Sequence, residues 1–320
     1  MSKLAPSLLA AMPLLFALHG APAHALSART LVSAAIGNDA NDCTSSVTPC
    51  RSFQAAHDRT ADQGEVVVLD PGGYGALTIT KSISVSSDAG EASILVSGGN
   101  TGITINAAAG AGYVNLRGLT VQGIEGGAST GLRFNTGVSL TITNCVIRNH
   151  TGNGIEFFSQ GPASNLSVTD SLVSDNGGSG IAVNAFFFTT RMNVALSRVT
   201  LVSNSKDGLA VIANTNGSGR ISASVADSLA SGNGGAGFHN FGDGEGVASI
   251  VVQRSIASNN HIGLLVEGGG FIGVASFIRV GQSTVSGNDV GWQGLVVSYG
   301  DNAINGNFDN DPAPRLISKK

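Results

Sequence analysis

Charge and aromatic side chains are scarce in this 320-residue chain. Asp, Glu, Lys and Arg make up 12%, and Phe, Trp and Tyr 5%, with one Trp. A formal net charge of −4 without a basic cluster lacks the electrostatic footprint of a nucleic-acid binder, so no nucleic-acid partner is expected. Proline is rare at 8 residues, and the 45 glycines show no period of three, which excludes collagen. Disorder is excluded as well, because Val, Ile, Leu and Phe are plentiful. Beyond residue 20 no apolar run is long enough to span a bilayer.

The one long apolar stretch opens the chain. Lys3 precedes Leu4 to Gly20, a run broken by Pro6 and Pro13, and Ala23-His24-Ala25 has the small-x-small pattern of a leader cleavage site. Residues 1–25 are therefore expected to be an export signal, with the mature protein secreted or periplasmic. A membrane helix is the other reading, and the two prolines make the run a poor span.

Only three cysteines are present. Cys43 and Cys50 flank a polar turn, Thr44 to Pro49, and in an oxidising compartment a disulfide is expected. A metal site is the alternative, but it has only His57 nearby as a further ligand. Cys145 lies in an apolar strand and reads as a small core residue.

What is abundant is repetition. A Gly followed by apolar-x-apolar recurs at Gly102, Gly131, Gly154, Gly180, Gly208, Gly237, Gly263 and Gly291, with separations of 29, 23, 26, 28, 29, 26 and 28 residues. Each unit carries two further short apolar stretches with strand alternation, and Gly and Asn fill the gaps. Three short strands per repeat fit one turn of a three-sided solenoid. The chain is therefore expected to be all-β, a single-stranded right-handed parallel β-helix. With coils stacked about 4.8 Å apart, eight to ten of them would make a rod roughly 40–50 Å long.

Two columns support the stacking. An Asn precedes each repeat Gly: Asn149, Asn176, Asn204, Asn233, Asn259 or Asn260, and Asn288. A second column runs Asn144-Cys145, Asp170-Ser171, Asp227-Ser228, Arg254-Ser255 and Gln282-Ser283, with Ser197-Arg198 shifted by one, read as a bulge. Ser52 to Arg59 is the best helix candidate, N-capped by Ser52 and placed to cover the first coil. The organisation is thus a signal (1–25), an entry strand with disulfide turn and capping helix (26–63), the β-helix (64–307) and a polar, loose tail (308–320).

The opening segments Leu31-Val-Ser-Ala-Ala-Ile-Gly-Asn-Asp-Ala-Asn-Asp-Cys, Pro49-Cys-Arg-Ser-Phe-Gln-Ala-Ala and Gly64-Glu-Val-Val-Val-Leu-Asp-Pro-Gly-Gly-Tyr-Gly resemble the start of exported bacterial members of the pectin-lyase-like superfamily. The resemblance covers nearly the whole mature chain. It implies the β-helix fold and a polysaccharide as partner, since the superfamily includes pectate and pectin lyases, polygalacturonases and alginate epimerases. The paired Asp-Asp and Gly-His-Gly segments of polygalacturonases are missing, as is the Arg-x-Pro-x-x-Arg of one pectate-lyase group.

Alternation around the repeat glycines points Thr104, Arg133, Glu156, Ala182, Ala210, His239, Leu265 and Gln293 outward. A following column reads Asn106, Asn135, Phe158, Asn184, Ile212, Phe241 and Glu267. Arg133 and Glu156, beside Asn106, Asn135 and Phe158, form the most chemically mixed patch. A lyase acting on uronate sugars needs a cation to hold the carboxylate and a base to take the C5 proton. Arg133 and Glu156 fit those roles, and Asn106, Asn135 and Phe158 fit sugar contacts. Ca²⁺ is a candidate cofactor, as it often neutralises such substrates, and Gly242-Asp-Gly-Glu-Gly246 near His239 supplies two carboxylates. A plain cross-strand salt bridge on a solvated face is the favoured account of Arg133 and Glu156, and Arg148 with Asp175 is a similar pair. Two functions are carried forward. One is an exported protein that binds or processes polysaccharide, with lyase chemistry on acidic sugars. The other is a non-catalytic structural or surface-contact solenoid, which the low charge, regular coils and few aromatics favour.

Overall fold

The computed structural model describes residues 26–124, 130–161, 163–185, 191–215, 219–244, 246–268 and 276–318; the expected export signal lies outside them. Among the described residues the strands form three sheets of twelve, nine and ten members, and the chain visits the sheets in turn. All pairings are parallel: Ser139–Thr143, for example, sits in register between Tyr113–Arg117 and Ala163–Thr169. The alternation seen in the sequence is the cause. Inward residues such as Leu140, Ile142, Leu166 and Val168 are fully buried, and Thr141 and Ser167 between them face out. Phe134 and Phe157 stack inside the nine-stranded sheet with ring centroids 4.4 Å apart.

The asparagine ladder exists, with its first member displaced. Nδ2 of Asn176, Asn204, Asn233, Asn260 and Asn288 each donates to Oδ1 of the next, ending on Asn307, at 2.8–3.1 Å. Asn307 Nδ2 in turn donates to Asp311 Oδ1 at 2.9 Å. Backbone N–H groups of Asn204, Asn233, Asn260 and Asn288 donate to the same oxygens. At the head of the ladder stands His150, not Asn149. His150 N donates to Asn176 Oδ1, and its ring Nε2 reaches Val121 O at 3.2 Å, as an amide would. Asn149 instead takes a left-handed φ of 61°. The ladder sets the repeat glycine: a Cβ on Gly208 would lie 2.7 Å from Gly237 O and 3.1 Å from Asn233 Nδ2.

No bulge separates Ser197 from Arg198. Strands Ala163–Thr169, Arg191–Ser197 and Arg220–Ala226 pair without interruption. Arg198 shares the left-handed column of Asn144, Asp170, Asp227, Arg254 and Gln282, all with φ between 47° and 53°. The mismatch arises one residue later. Val199 occupies the place where Ser171, Ser228, Ser255 and Ser283 accept the backbone N–H of the preceding coil, at 3.1–3.2 Å for Cys145, Val199, Ser228 and Ser255. On the outer side of this corner Arg198 pairs with Asp170, and Arg254 with Asp227.

The first coil is closed by the helix Phe53–Arg59, with Ser52 Oγ accepting from Ala55 N at 3.2 Å. Asp39 holds the cap in place, accepting from the backbone of Arg51 and Ser52. Cys43 and Cys50 are joined in a disulfide, with Cα atoms 4.9 Å apart. In the opener motif, Asp70 accepts from Ser33 Oγ, Ala34 N and Tyr74 Oη, so these residues build the entry to the solenoid. Cys145 is the free cysteine among the described residues, and burial pushes its thiol up to about 11.

The segment expected to be a loose tail is tied down. Asp309 Oδ2 accepts from Gly291 N, Trp292 Nε1 donates to Pro312 O, and Arg315–Leu316 adds a short strand beside Val296–Ser298.

Candidate functional site

The outward column of the nine-stranded sheet runs as the alternation predicts. Thr104, Arg133, Glu156, Ala182, Ala210, His239, Leu265 and, at its end, Gln293 are register partners from rung to rung. Arg133 and Glu156 meet. Glu156 Oε2 accepts from Arg133 Nε at 2.9 Å and Nη2 at 2.7 Å, with the two side chains 44% and 21% exposed. Asn135 Nδ2 donates to Asn106 Oδ1 at 2.8 Å. The register slips between Phe134 and Thr136, which lets Asn135 reach Asn106. Phe158 follows Glu156 by two residues and lies half-buried on the same face. The five residues named from the sequence are therefore neighbours.

Three rungs further, about 14 Å along the stack, is a second charged group that the sequence did not assemble. His239 Nδ1 contacts Asp207 Oδ2 at 3.1 Å, and Nε2 lies 3.1 Å from Glu267 Oε2 in a geometry short of a hydrogen bond. Burial of the ring works against its charge, but Asp207 and Glu267 outweigh it and hold the imidazole pKa above its usual value. Asp207 Oδ1 meanwhile accepts from Ala236 N at 2.7 Å. The same turn position in an earlier coil is Asn153, which accepts from Ser179 N. Asp207 thus continues a structural role and gains a partner through its second oxygen. Thirty-two residues separate it from His239, so only the coil register reveals the pair.

Other expectations resolve differently. Arg148 donates to Gln122 Oε1 at 3.0–3.2 Å and makes no ion pair with Asp175. Glu245 of the proposed Ca²⁺ loop lies outside the described residues. Among the described residues no group of three or more His, Cys, Asp or Glu is placed to hold a metal ion, and no helix is long and apolar enough to cross a membrane.

Comparison with known proteins places the architecture. The family described as "right handed beta helix region" matches residues 64–186. No curated protein matches the sequence. Among solved structures, pectate lyase Pel9A superposes with a TM-score of 0.62 at 17% identity, over 91% of this chain and 77% of the lyase. The A-module of mannuronan C-5 epimerase AlgE6 from Azotobacter vinelandii gives 0.55 at 18% identity, over 82% and 74%. A rhamnogalacturonan lyase gives 0.52 at 15%, over 84% and 74%. At these identities the likeness concerns the fold, which polysaccharide-processing enzymes share. The chain is a right-handed parallel β-helix, the fold that these structures share.

Proposed function

We propose that the protein, exported to the periplasm or beyond, binds and processes an acidic polysaccharide on the outward face of the nine-stranded sheet. The observation that supports this reading is the meeting of Arg133 and Glu156 beside two amides and an aromatic ring. A uronate carboxylate competes with Glu156 for the Arg133 guanidinium, which donates two parallel N–H bonds to planar anions. Glu156, released, takes the C5 proton. The electron pair forms the C4–C5 double bond, the bond from C4 to the glycosidic oxygen breaks, and that oxygen takes its proton from solvent water. Asn106 and Asn135 contact sugar hydroxyls, and Phe158 packs on a ring face. His239 is too far along the stack to protonate the same leaving group.

The second reading, a non-catalytic solenoid, draws support from the pair itself. Both guanidinium contacts converge on one Glu156 oxygen, as in a plain surface salt bridge. The test is absorbance at the wavelength of unsaturated uronates, with polygalacturonate and alginate, with Ca²⁺ and with chelator. A rise lost in both Arg133→Ala and Glu156→Gln, each still folded, is expected. No rise with any acidic polymer would leave the non-catalytic reading.

A further inference from the structure

The arginines are distributed unevenly around the solenoid. The strands of the twelve-stranded sheet from Ile83–Ser86 onward contain no Asp or Glu, yet they carry Arg117, Arg191, Arg220, Arg279 and Arg315. Arg117 pairs with Asp88 outside the sheet. The other four have no carboxylate partner among the described residues, whereas Arg29, Arg133, Arg198 and Arg254 each have one. In a chain of formal charge −4, this is a segregated basic face.

Its last rungs form a recess. Arg279, Val297 and Arg315 are successive register partners, so the two guanidinium-bearing residues stand two rungs apart, about 10 Å. Together with Tyr299 and Leu316 to Ser318 they line a cleft of about 560 Å³. Arg279 lies over the Phe277 ring at 4.5 Å, which fixes its plane without neutralising its charge. The Tyr299 ring comes to 2.8 Å of where a Cβ on Gly281 would be, so a glycine here lets the ring lie close against the strand. Two unpaired guanidiniums around an aromatic-walled cleft suit an anion that also offers a flat apolar surface.

We propose that this cleft binds a carboxylate-bearing sugar unit, anchoring an acidic polysaccharide at a site separate from the Arg133–Glu156 patch and on a different sheet. Arg279 and Arg315 hold carboxylates, and Tyr299 packs against a ring. The proposal shares its ligand class with the proposed function but needs no reaction. Nucleic acid is disfavoured, because four spaced cations neutralise few phosphates.

The test is calorimetric titration of the full mature chain with oligogalacturonate and oligoguluronate of defined length, at low and high salt. Binding is expected to weaken at least tenfold in Arg279→Gln/Arg315→Gln and to be unchanged in Arg198→Gln, which removes an arginine outside the cleft. Tyr299→Phe, which keeps the ring, is expected to bind like the parent, and Tyr299→Ala to bind more weakly. Unaltered affinity in the double arginine variant would overturn the proposal, as would equal binding of a neutral oligosaccharide. Tighter, arginine-dependent binding of an oligonucleotide would replace the sugar with a nucleic acid. Absence of an absorbance rise in the parent protein would count against the proposed reaction and leave these affinities as they are.

Discussion

The amide ladder from Asn176 to Asn307 and the ion ladder of Asp170, Arg198, Asp227 and Arg254 flank the ten-stranded sheet at its two corners. Both repeat one side chain per coil. Asn233 is 2% exposed, whereas Asp227 and Arg254 are 41% and 50% exposed. Each ladder amide uses its oxygen and its nitrogen on neighbours that have no water to turn to. Asn233 accepts from Asn204 N and Nδ2 and donates to Leu201 O and Asn260 Oδ1. Because every amide points the same way, the bonds polarise one another in series and finish on the Asp311 carboxylate. The hydrogen bond from Asn307 N, the largest of the effects lowering that carboxylate's pKa, and the further bonds to it hold the group below its usual range. The ion ladder has solvent as a ready alternative, so its geometry implies little stability. Regular stacking is common to both, and desolvation distinguishes them.

Three substitutions would break or sharpen this contrast. The largest effect is expected from Asn233→Ala, which strands the Asn204 N–H and leaves Asn204 Nδ2 and Asn260 Oδ1 each one bond short in the interior. At roughly 1–3 kcal/mol for each orphaned group, a loss of about 3 kcal/mol or more is expected in denaturant unfolding. A cost comparable to that of an exposed substitution would show that the ladder is ornamental.

Val199→Thr comes next. It keeps the shape and offers Ser171 N the hydroxyl that Ser228 gives Val199, so a gain of up to about 1 kcal/mol is expected in the same assay. A loss would mean that the new hydroxyl finds no partner.

Asp227→Asn is expected to do least. Hydrogen bonds from Arg254, the largest cause, and its charge hold the Asp227 pKa below the usual carboxylate range. The carboxylate's contribution is therefore present above the unfolded value of about 3.9 and is lost as pH falls through the lower folded value. Parent and variant should converge in melting temperature at acid pH and in high salt. A difference that persists in both would show the ion ladder to be more than a surface feature.

Repeat glycines, strand alternation and outward columns were legible in the sequence because each obeys a spacing that the coil enforces. Two features escaped for the same reason: a residue of another type held the position. His150 replaces an amide, because an imidazole Nε2 has the reach of Nδ2 to the carbonyl one rung before. Val199 replaces a serine, so matching serines shifted that coil by one residue and suggested a bulge. Asp207 was hidden differently, since its contact with His239 depends on a turn residue projecting onto the next coil. The Arg133–Glu156 patch was legible as a neighbourhood. Its chemistry was not, because one contact geometry serves a salt bridge and a resting active site alike.

The amide ladder also bears on how such a chain can change its length over generations. Asn204 and Asn233 are 29 residues apart and make the same contacts upward and downward. A gene losing the codons for one such interval would place Asn233 beneath Asn176, in a socket already shaped for it. Duplication would add a rung by the same rule. The ends, with the helix at one and Asp311 at the other, would remain as they are. Selection can therefore lengthen or shorten the outer faces of the solenoid without having to invent a new core.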